Sequence, residues 1–565
     1  IPLPPGYQEP ETRPSDACAP MQLDSDFTRG ELEYALRKCT KRSAPGPDGV
    51  TYQALRNLDK SHHPALLEAL NKVWRTAELP AVWKVSHVIP IPKPGKPHAL
   101  LSSYRPISLT SCVGKLLEKM IQNRLQWWLE TSEAFPEEIT GFRPRRCTMD
   151  GILDLTTCVE HESNNGNITV ALFLDIRRAF DTVSHAHVLE GLVQLGVRGR
   201  MLRWIKEFLY CRNIIVKTND GDSMIHEIHH GVPQGSVLSP TLFNAVMAQL
   251  PQQLESPLKI SIYADDICIW ISGSSQDIIK NKLQTGLDTT FRFLKERGME
   301  LSAAKSAFLP FTRKKLPRLR LDLNGASIQR VKSYRFLGVI LDQSLTWSKH
   351  LGTLESRINC VINVFRCIAG ARWGASIDAM LSFHTALIRQ AIAYSIPVLN
   401  GLSRTSESRL TYMLARSLRV CLGLPRSTSS ALVLVTAREP TIHILRTQEI
   451  CRNFFRLSTR PLFNDIFTRK GTNFLSTLNS LPLWIPEQPN WIQEICEPPW
   501  TLPLLDINMD IPGMQTKTSV NTHIARTLTL SHLEEKYKDD IHVYTDGSTT
   551  EDGSTSAFVV PDFNH

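Results

Sequence analysis

Apolar residues fall at strand-like and helix-like spacings that divide the chain into distinct segments. Residues 1–30 are polar and Pro-rich and predict a linker. A helical pattern begins at Glu31 and gives way to a Pro/Gly-punctuated loop over 41–52. Residues 84–96 alternate like a strand that ends in a basic loop, and residues 114–130 place their apolar side chains on one helical face. These patterns predict a mixed helix-and-strand globule.

Two further apolar runs carry acidic residues at their ends. Val170 to Leu174 reads as a buried strand that delivers Asp175, which taken alone is better explained as the cap of a helix that starts near Arg178. Residues 258–271 consist of two apolar runs around Ala264-Asp265-Asp266 and predict a β-hairpin with adjacent carboxylates at its tip. The two segments therefore predict acidic groups at the ends of neighbouring strands.

Adjacent carboxylates between apolar strands repel each other unless a cation lies between them. Mg²⁺, which prefers oxygen ligands and is held by few carboxylates together with substrate phosphates, fits this pattern, and Mn²⁺ is the alternative. Three carboxylates from two strands suit a site for two ions that stabilises the attacking and leaving oxygens of a phosphoryl transfer. The sequence thus predicts a two-metal site at Asp175, Asp265 and Asp266.

Composition limits the remaining classes of function. The net charge is +9, with basic runs RPRRC (143–147) and TRKKLPRLR (312–320), which fit a polyanionic partner and a solvated surface about equally. The twelve cysteines show no CxxC pair, so neither a disulfide framework nor a zinc site is indicated. The absence of a long apolar stretch and of a signal peptide predicts an intracellular protein, nuclear and cytoplasmic, without contact with a membrane.

Three ordered runs, FLDIRRAFD (173–181), GVPQGSVLSPTLFN (231–244) and YADD (263–266), resemble successive motifs of a reverse transcriptase. The loop APGPDGVTY (44–52) and the lengths of the matching blocks are similar to those of reverse transcriptases from non-LTR (LINE-type) retrotransposons of the I/jockey-like group. Further matching blocks are SYRPISLTSCVGKLLEKMIQNRL (103–125), GFRPRRCTMDGI (141–152), GMELSAAKSAFLPF (298–311) and YRFLGVILD (334–342).

The resemblance implies an α+β right-hand polymerase. Its expected parts are a linker over 1–30, fingers and palm over 31–345, a helical thumb over 346–460 and a connection region over 461–540. The implied activity is RNA-directed DNA synthesis from a primer 3′-OH, with an RNA template, a DNA primer, an RNA–DNA hybrid and deoxynucleoside triphosphates as partners. Two rivals remain open, an RNA-dependent RNA polymerase of the same fold and a non-catalytic nucleic-acid-binding remnant.

The same resemblance implies roles for single residues. Asp175, Asp265 and Asp266 are the expected metal ligands, and Lys305 is expected to protonate the pyrophosphate leaving group. The expected substrate-binding residues are Arg105 for the triphosphate, Phe180 for exclusion of a ribose 2′-OH, and Gln234 with Gly235 for the nucleotide. Lys93 and Lys96 are weaker candidates for the triphosphate, and Asp181 and Asp48 read as turn and cap residues. The expected primer grip is Tyr334, Phe336, Leu337 and Gly338.

The last residues, 541–565, resemble the start of a ribonuclease H domain. VYTDGS (543–548) would be its first strand, with Asp546 as its first carboxylate, TEDGSTS would form the turn, and AFVV the second strand. The remaining carboxylates of such a site are expected beyond His565, so the sequence predicts a truncated domain without ribonuclease H activity.

Overall fold

The computed structural model describes residues 21–40, 43–218, 221–314, 316, 319–370, 373–480, 498, 500–501, 522–536, 544–550 and 553–559. The chain divides into two compact units, residues 1–500 and residues 501–565.

In the first unit the strands fall between residues 85 and 342 and a series of helices follows them, and the described residues of the second unit form a helix and a hairpin. The strands are β1 (Val85–Pro92), β2 (Tyr104–Leu109), β3 (Ile168–Arg177), β4 (Arg212–Thr218), β5 (Gly221–Asp222), β6 (His226–Ile228), β7 (Lys259–Tyr263), β8 (Asp266–Gly273), β9 (Glu300–Leu301), β10 (Ala307–Phe311), β11 (Asp322–Leu323), β12 (Ala326–Ser327), β13 (Gln329–Arg330), β14 (Ser333–Phe336), β15 (Val339–Asp342), β16 (Tyr544–Thr550) and β17 (Gly553–Val559). The helices are α1 (Met21–Asp24), α2 (Arg29–Lys38), α3 (Tyr52–Arg56), α4 (His63–Thr76), α5 (Ala81–Lys84), α6 (Cys112–Thr131), α7 (Thr148–Asn164), α8 (Ala179–Thr182), α9 (His185–Gln194), α10 (Gly199–Leu209), α11 (Ser239–Met247), α12 (Leu250–Gln253), α13 (Gln276–Glu296), α14 (Ser348–Ile368), α15 (Ile377–His384), α16 (Gln390–Ala393), α17 (Arg404–Cys421), α18 (Ser430–Thr436), α19 (Ile442–Leu457), α20 (Leu462–Phe467), α21 (Asn473–Asn479) and α22 (Thr522–Lys536).

A six-stranded sheet forms the centre of the first unit. Its strand order is β13-β10-β3-β8-β7, with β9 paired to the end of β3. The strands β3, β8 and β7 run antiparallel to their neighbours, and β10 is antiparallel to β3. A smaller sheet of order β2-β1-β4-β5, with β6 on β4, lies earlier in the chain. The mixed α and β class predicted from the sequence is confirmed.

Both faces of the central sheet are buried, which explains why its strands are continuously apolar. Along β3, Leu172 and Leu174 belong to one hydrophobic core, and Ala171 and Phe173 belong to another. The first core is built with helices α2, α6, α9, α10, α11 and α13. The second is built with α7, the hairpin β14–β15 and the helices from α14 to α21. Alternation of side chains along each strand therefore decides which layer each residue supports.

The linker predicted over 1–30 is wrong for its last residues. Asp24 accepts hydrogen bonds from the backbone N–H groups of Arg200 and Met201, at 2.8 and 3.0 Å. Phe27 is 3% exposed, and its ring packs on Trp74 at 5.0 Å. Residues 1–20 lie outside the described residues. The chain from Leu23 onward is therefore part of the first core. Its few apolar residues pack against a helix that lies farther along the chain, and the local sequence pattern does not reveal that contact.

The helical region also continues past the predicted boundary at 460. Helices α20 and α21 place Ile466, Phe474 and Leu478 in the same core as α14–α19. Trp500 packs edge-on against Trp127, at 6.0 Å between ring centroids. Residues 481–497 lie outside the described residues. The start of the segment predicted as a connection is therefore an integral part of the helical layer.

The second unit contains α22 and an antiparallel hairpin of β16 and β17. Asp546 pairs with Ala557 in this hairpin, and Thr550 pairs with Gly553. The predicted pair of strands is present. The predicted turn over TEDGSTS is too long, because residues 553–556 already belong to the second strand.

Candidate active site

Strand pairing brings the predicted acidic residues to one end of the central sheet. Asp175, near the end of β3, lies directly opposite Asp266, the first residue of β8. Asp265 lies in the turn between β7 and β8, which Ala264 enters with a left-handed φ of 56°. Asp175 and Asp266 lie on the same face as Phe173 and Cys268 because side chains alternate along a strand. The three carboxylates are thus gathered at one end of a pair of hydrogen-bonded strands.

Burial and neighbouring negative charges raise the pKa of Asp265 and of Asp266. Partial burial, followed by the charges of Asp265 and Asp175, raises the pKa of Asp266 to about 6. Burial and then the Asp175 charge raise the pKa of Asp265, and Lys305 and Arg105 act in the opposite direction. Negative charges that lie close together are stabilised when a proton or a cation binds between them. The negative potential at these carboxylates therefore favours the binding of a cation.

The side chains fit a divalent ion that arrives with a phosphate substrate. Within the residues that the structure describes, no group of three or more His, Cys, Asp and Glu side chains is positioned to enclose a metal ion by itself. Mg²⁺ is usually bound through one or two carboxylates, with waters and substrate phosphates as the other ligands. Asp175 and Asp266 lie opposite each other, and Asp265 lies in the adjoining turn. Their oxygen atoms match the few protein ligands that Mg²⁺ needs when water and phosphate supply the others.

Lys305 supplies a positive charge to the carboxylates. Its Nζ donates to Oδ2 of Asp175 at 2.9 Å, and its side chain is 67% exposed. The segment that carries it is fixed to the strand end, since the Ser302 N–H donates to the Asp175 carbonyl at 2.9 Å and the Asp175 N–H donates to Ser306 Oγ at 3.3 Å. Lys305 therefore reaches the carboxylates from a short, anchored loop.

Phe180 lies in a row of aromatic rings beside the carboxylates. Its ring stacks on Phe243 at 4.7 Å and meets Phe142 edge-on at 6.3 Å. Phe142 in turn lies 6.3 Å from the ring of Tyr263, which precedes the acidic turn. Phe180 is only partly buried, so part of its side chain remains accessible. Packing against Phe243 and Phe142 therefore restricts the movement of the Phe180 ring.

Gln234 is held by a residue that the sequence did not single out for function. Its Nε2 donates to Oδ1 of Asp181 at 2.7 Å, and burial raises the pKa of Asp181. The interpretation of Asp181 as a cap was therefore incomplete, because it also orients the Gln234 amide. Its position one residue after Phe180 was the available signal.

Gly235 allows the Gln234 loop to approach β2. Its φ is 127°, and a Cβ there would lie 2.5 Å from the carbonyl oxygen of Ser108. The Ser108 N–H donates to the Gln234 carbonyl at 2.7 Å. Any side chain at this position would separate the loop from the strand. The loop is consequently locked between β2 and α8.

Arg105 lies on β2, the strand that the Gln234 loop contacts. It pairs with Ile91 of β1, and its side chain is exposed. It makes no ion pair with any residue in the described part of the chain, and its charge acts on Asp265. The surface salt bridge that would make Arg105 purely structural is therefore not formed among these residues.

The four residues predicted as a grip form the hairpin β14–β15 and its turn. Tyr334 stacks on Phe173 at 4.2 Å with an angle of 10° between the rings, and Phe336 tilts against the same ring at 5.3 Å. Burial, then the charges of Asp266 and Asp175, raise the pKa of Tyr334 to about 12. Leu337 and Gly338 form the turn. The hairpin thus packs behind the acidic strand ends.

The basic run RPRRC is not a free surface. Arg143 is 2% exposed and donates to Glu130 at 2.9 Å, and Arg146 pairs with Glu137. Both guanidinium groups thus form ion pairs with carboxylates of the protein itself. The expectation that this run is either a solvated surface or a contact for a polyanion is wrong for these two arginines.

Comparison with known proteins identifies the segment that holds this site. Residues 91–341 match the sequence model of the family described as "Reverse transcriptase (RNA-dependent DNA polymerase)". That range contains all three carboxylates, Lys305, Phe180 and Gln234, and most of the hairpin β14–β15.

Curated relatives match a longer part of the chain. The "RNA-directed DNA polymerase from mobile element jockey" of Drosophila funebris is 29% identical over 412 residues, which are 72% of this chain and 45% of that protein. The "Probable RNA-directed DNA polymerase from transposon BS" of Drosophila melanogaster is 26% identical over 70% of this chain and 44% of its own length. The "Retrovirus-related Pol polyprotein from type-1 retrotransposable element R2" of Popillia japonica is 28% identical over 59% of this chain and 48% of its own length. The chain thus spans less than half of the length of each of these relatives.

Proposed function

We propose, from the premise that residues 91–341 are a reverse transcriptase domain of the non-LTR retrotransposon type, that this protein extends a DNA primer 3′-OH on an RNA template. The observation that carries the proposal is the pairing of Asp175 with Asp266, with Asp265 beside them, inside the segment that matches the family. Such a set of carboxylates suits phosphoryl transfer, where positioning and charge neutralisation provide most of the catalysis.

Each residue of the site then has a role in nucleotidyl transfer. Asp175, Asp265 and Asp266 would hold two Mg²⁺ or Mn²⁺ ions, which when bound activate the primer hydroxyl and neutralise the triphosphate. Arg105 binds the triphosphate, whose oxygens match a planar guanidinium. Lys305, already beside Asp175, gives a proton to the departing pyrophosphate.

The right-hand layout follows from the same proposal. The central sheet is the palm, the smaller sheet with α6 belongs to the fingers, and α14–α19 form the thumb. The hairpin β14–β15 is the primer grip. The RNA–DNA hybrid would be recognised through its backbone and A-like shape, because base pairing with the template determines the sequence of the new DNA strand. The hairpin β16–β17, with Asp546, is the start of a ribonuclease H fold.

Among the helices that the structure describes, none combines the length and the apolar character that a membrane crossing requires. We place the protein in the cytoplasm and the nucleus because its template is RNA and its primer is DNA. Deoxynucleoside triphosphates are its small-molecule substrates.

Replacement of Phe180 by Val is expected to relax the choice of sugar. The ring is held by Phe243 and Phe142, so it cannot move away from a ribose 2′-OH, whereas the smaller side chain leaves room for one. We expect ribonucleotide incorporation relative to deoxynucleotide incorporation to rise by about ten- to a hundredfold. Single-nucleotide extension with dNTPs or NTPs measures the ratio, and Phe455→Val, at an exposed phenylalanine in α19, is the matched control.

The function itself is tested on a heteropolymeric RNA template with an annealed DNA primer. The purified chain is given four dNTPs or four NTPs in parallel with Mg²⁺ or Mn²⁺. We expect DNA products of template-directed sequence with dNTPs. Efficient synthesis with NTPs and little with dNTPs would instead identify an RNA-dependent RNA polymerase.

A further inference from the structure

Tyr394 links three separate elements of the first unit through its hydroxyl group. It follows α16 and is 40% exposed. Its hydroxyl hydrogen bonds to the carbonyl oxygen of Leu337 and lies 2.8 Å from Oγ1 of Thr148, the first residue of α7. The phenol is the donor toward both the Leu337 carbonyl and the Thr148 hydroxyl, so its single proton is shared between two acceptors. One orientation of the Tyr394 side chain therefore brings its hydroxyl against both the hairpin turn and the start of α7.

The turn that Tyr394 contacts has an unfavourable backbone. Leu337 and Gly338 both have positive φ, 44° and 91°, and for a leucine this conformation is costly. Such a conformation persists only where surrounding groups hold it. The Tyr394 ring lies against Gly338, where an added Cβ would be 3.3 Å from Cε1. Tyr394 thus supports the turn through both the ring and the hydroxyl.

Both partners of Tyr394 lead directly to the carboxylates. On one side, the hairpin that ends in Leu337 stacks Tyr334 on Phe173, two residues before Asp175. On the other side, α7 begins at Thr148, and its Gly151 lies so close to Ser261 of β7 that a Cβ would approach the Ser261 Oγ to 2.4 Å. Since β7 leads into the acidic turn, Tyr394 joins the two structures that fix the carboxylates from behind.

The helix that carries Tyr394 contains an irregular turn. Residues Thr385–Arg389 form a π-turn between α15 and α16. A π-turn adds one residue to the helix and rotates the following side chains by about 100°. Before it, buried His384 contacts Ser417 inside the helical layer at 2.9 Å. After it, Tyr394 faces the β14–β15 turn.

We propose that Tyr394 is a positioning residue for the primer 3′ end: its hydroxyl fixes the Leu337–Gly338 turn between α7 and the helical layer and so sets the distance of the primer terminus from the three aspartates. The role rests on the proposed polymerase function. Tyr394 itself does not contact the reacting atoms. Its loss changes the placement of the primer and leaves the nucleotide pocket of Phe180 and Gln234 unchanged.

The test compares Tyr394→Phe, Thr148→Val and the double variant with the unmodified chain. Phenylalanine keeps the ring beside Gly338 and removes only the hydroxyl. The control is Tyr412→Phe, whose ring is also exposed but lies on α17. Three quantities are measured for each protein: affinity for a poly(rA)–oligo(dT) hybrid without nucleotide, the maximal rate of primer extension, and the KM for dTTP. The Tm reports folding.

We expect Tyr394→Phe to weaken hybrid affinity and to slow extension, each by roughly three- to tenfold, as for the loss of one hydrogen bond to a positioned group. The KM for dTTP and the Tm should stay near those of the unmodified chain. Thr148→Val should have a smaller effect of the same kind, and the double variant should be no worse than Tyr394→Phe, because both changes remove the same network.

Three outcomes would overturn the role. Hybrid affinity and extension equal to those of Tyr412→Phe would show that the hydroxyl does not position the primer. A parallel loss of Tm, hybrid affinity and dTTP binding would show a structural role only. If the unmodified chain binds the hybrid without extending it, the proposed function fails, and equal hybrid affinity of Tyr394→Phe would then separately reject the role of Tyr394.

Discussion

Asp175→Asn is expected to lower primer extension by on the order of a thousandfold or more, with little change in stability. The carboxamide keeps the size of the side chain and removes the charge that would bind a cation opposite Asp266. The lost Lys305 pair is mostly solvent-exposed, so it contributes at most about 1 kcal/mol. One fewer negative charge beside Asp265 and Asp266 also reduces their mutual repulsion.

The measurement is primer extension at saturating dNTP together with the Tm of each protein. Asp322→Asn is the control, because it makes the same change of charge at an exposed residue of a surface hairpin. We expect the Tm of both variants to lie within about 3 °C of that of the unmodified chain. Activity of Asp175→Asn comparable to that of Asp322→Asn would remove Asp175 from the catalytic site.

Asp150→Ala is expected to lower the free energy of unfolding by about 3–5 kcal/mol. Asp150 is completely buried near the start of α7, where Arg456 and Arg460 both donate to its carboxylate, Arg460 at 2.6 Å. Its carboxylate also accepts from the Cys147 N–H at 3.2 Å. Alanine would leave two guanidinium groups with less charge compensation inside the protein, and buried unpaired charges are costly.

Urea unfolding followed by intrinsic fluorescence measures this change. Arg75→Ala is the control, since Arg75 forms exposed pairs with Asp26 and Glu68 and should change the free energy of unfolding far less than Asp150→Ala does. A difference between the two variants of less than about 1 kcal/mol would mean that the ion pairs of Asp150 with Arg456 and Arg460 contribute little to the stability of the fold.

The acidic end of the central sheet could be predicted because its signals are local. An apolar strand that ends in Asp175 and a hairpin with Asp265 and Asp266 at its tip are visible in windows of about ten residues. Their pairing follows from the fold that the resemblance implied. The match of residues 91–341 to the reverse transcriptase family agrees with the resemblance that the sequence motifs indicated. The assignments of single residues stay predictions, although strand pairing and side-chain contacts gather several of them around the end of β3.

Contacts between distant residues could not be predicted from the sequence. Tyr394 reaches Leu337 and Thr148, which are 57 and 246 positions away. Asp150 pairs with arginines more than 300 positions later. Patterns of apolar residues specify which face of an element is buried, but they do not specify which polar groups meet across two elements. For the same reason the helical layer was predicted to end at 460, before α20 and α21.

The central claim is that the paired carboxylates catalyse DNA synthesis on RNA, and one comparison tests it most directly. The unmodified chain and Asp265→Asn, at equal concentrations of folded protein, are given poly(rA) with an oligo(dT) primer, labelled dTTP and Mg²⁺ or Mn²⁺. We predict cation-dependent extension by the unmodified chain, and none by Asp265→Asn while it still binds the hybrid. Equal extension by both proteins would contradict the assigned site, and hybrid binding without extension by either would leave a nucleic-acid-binding remnant.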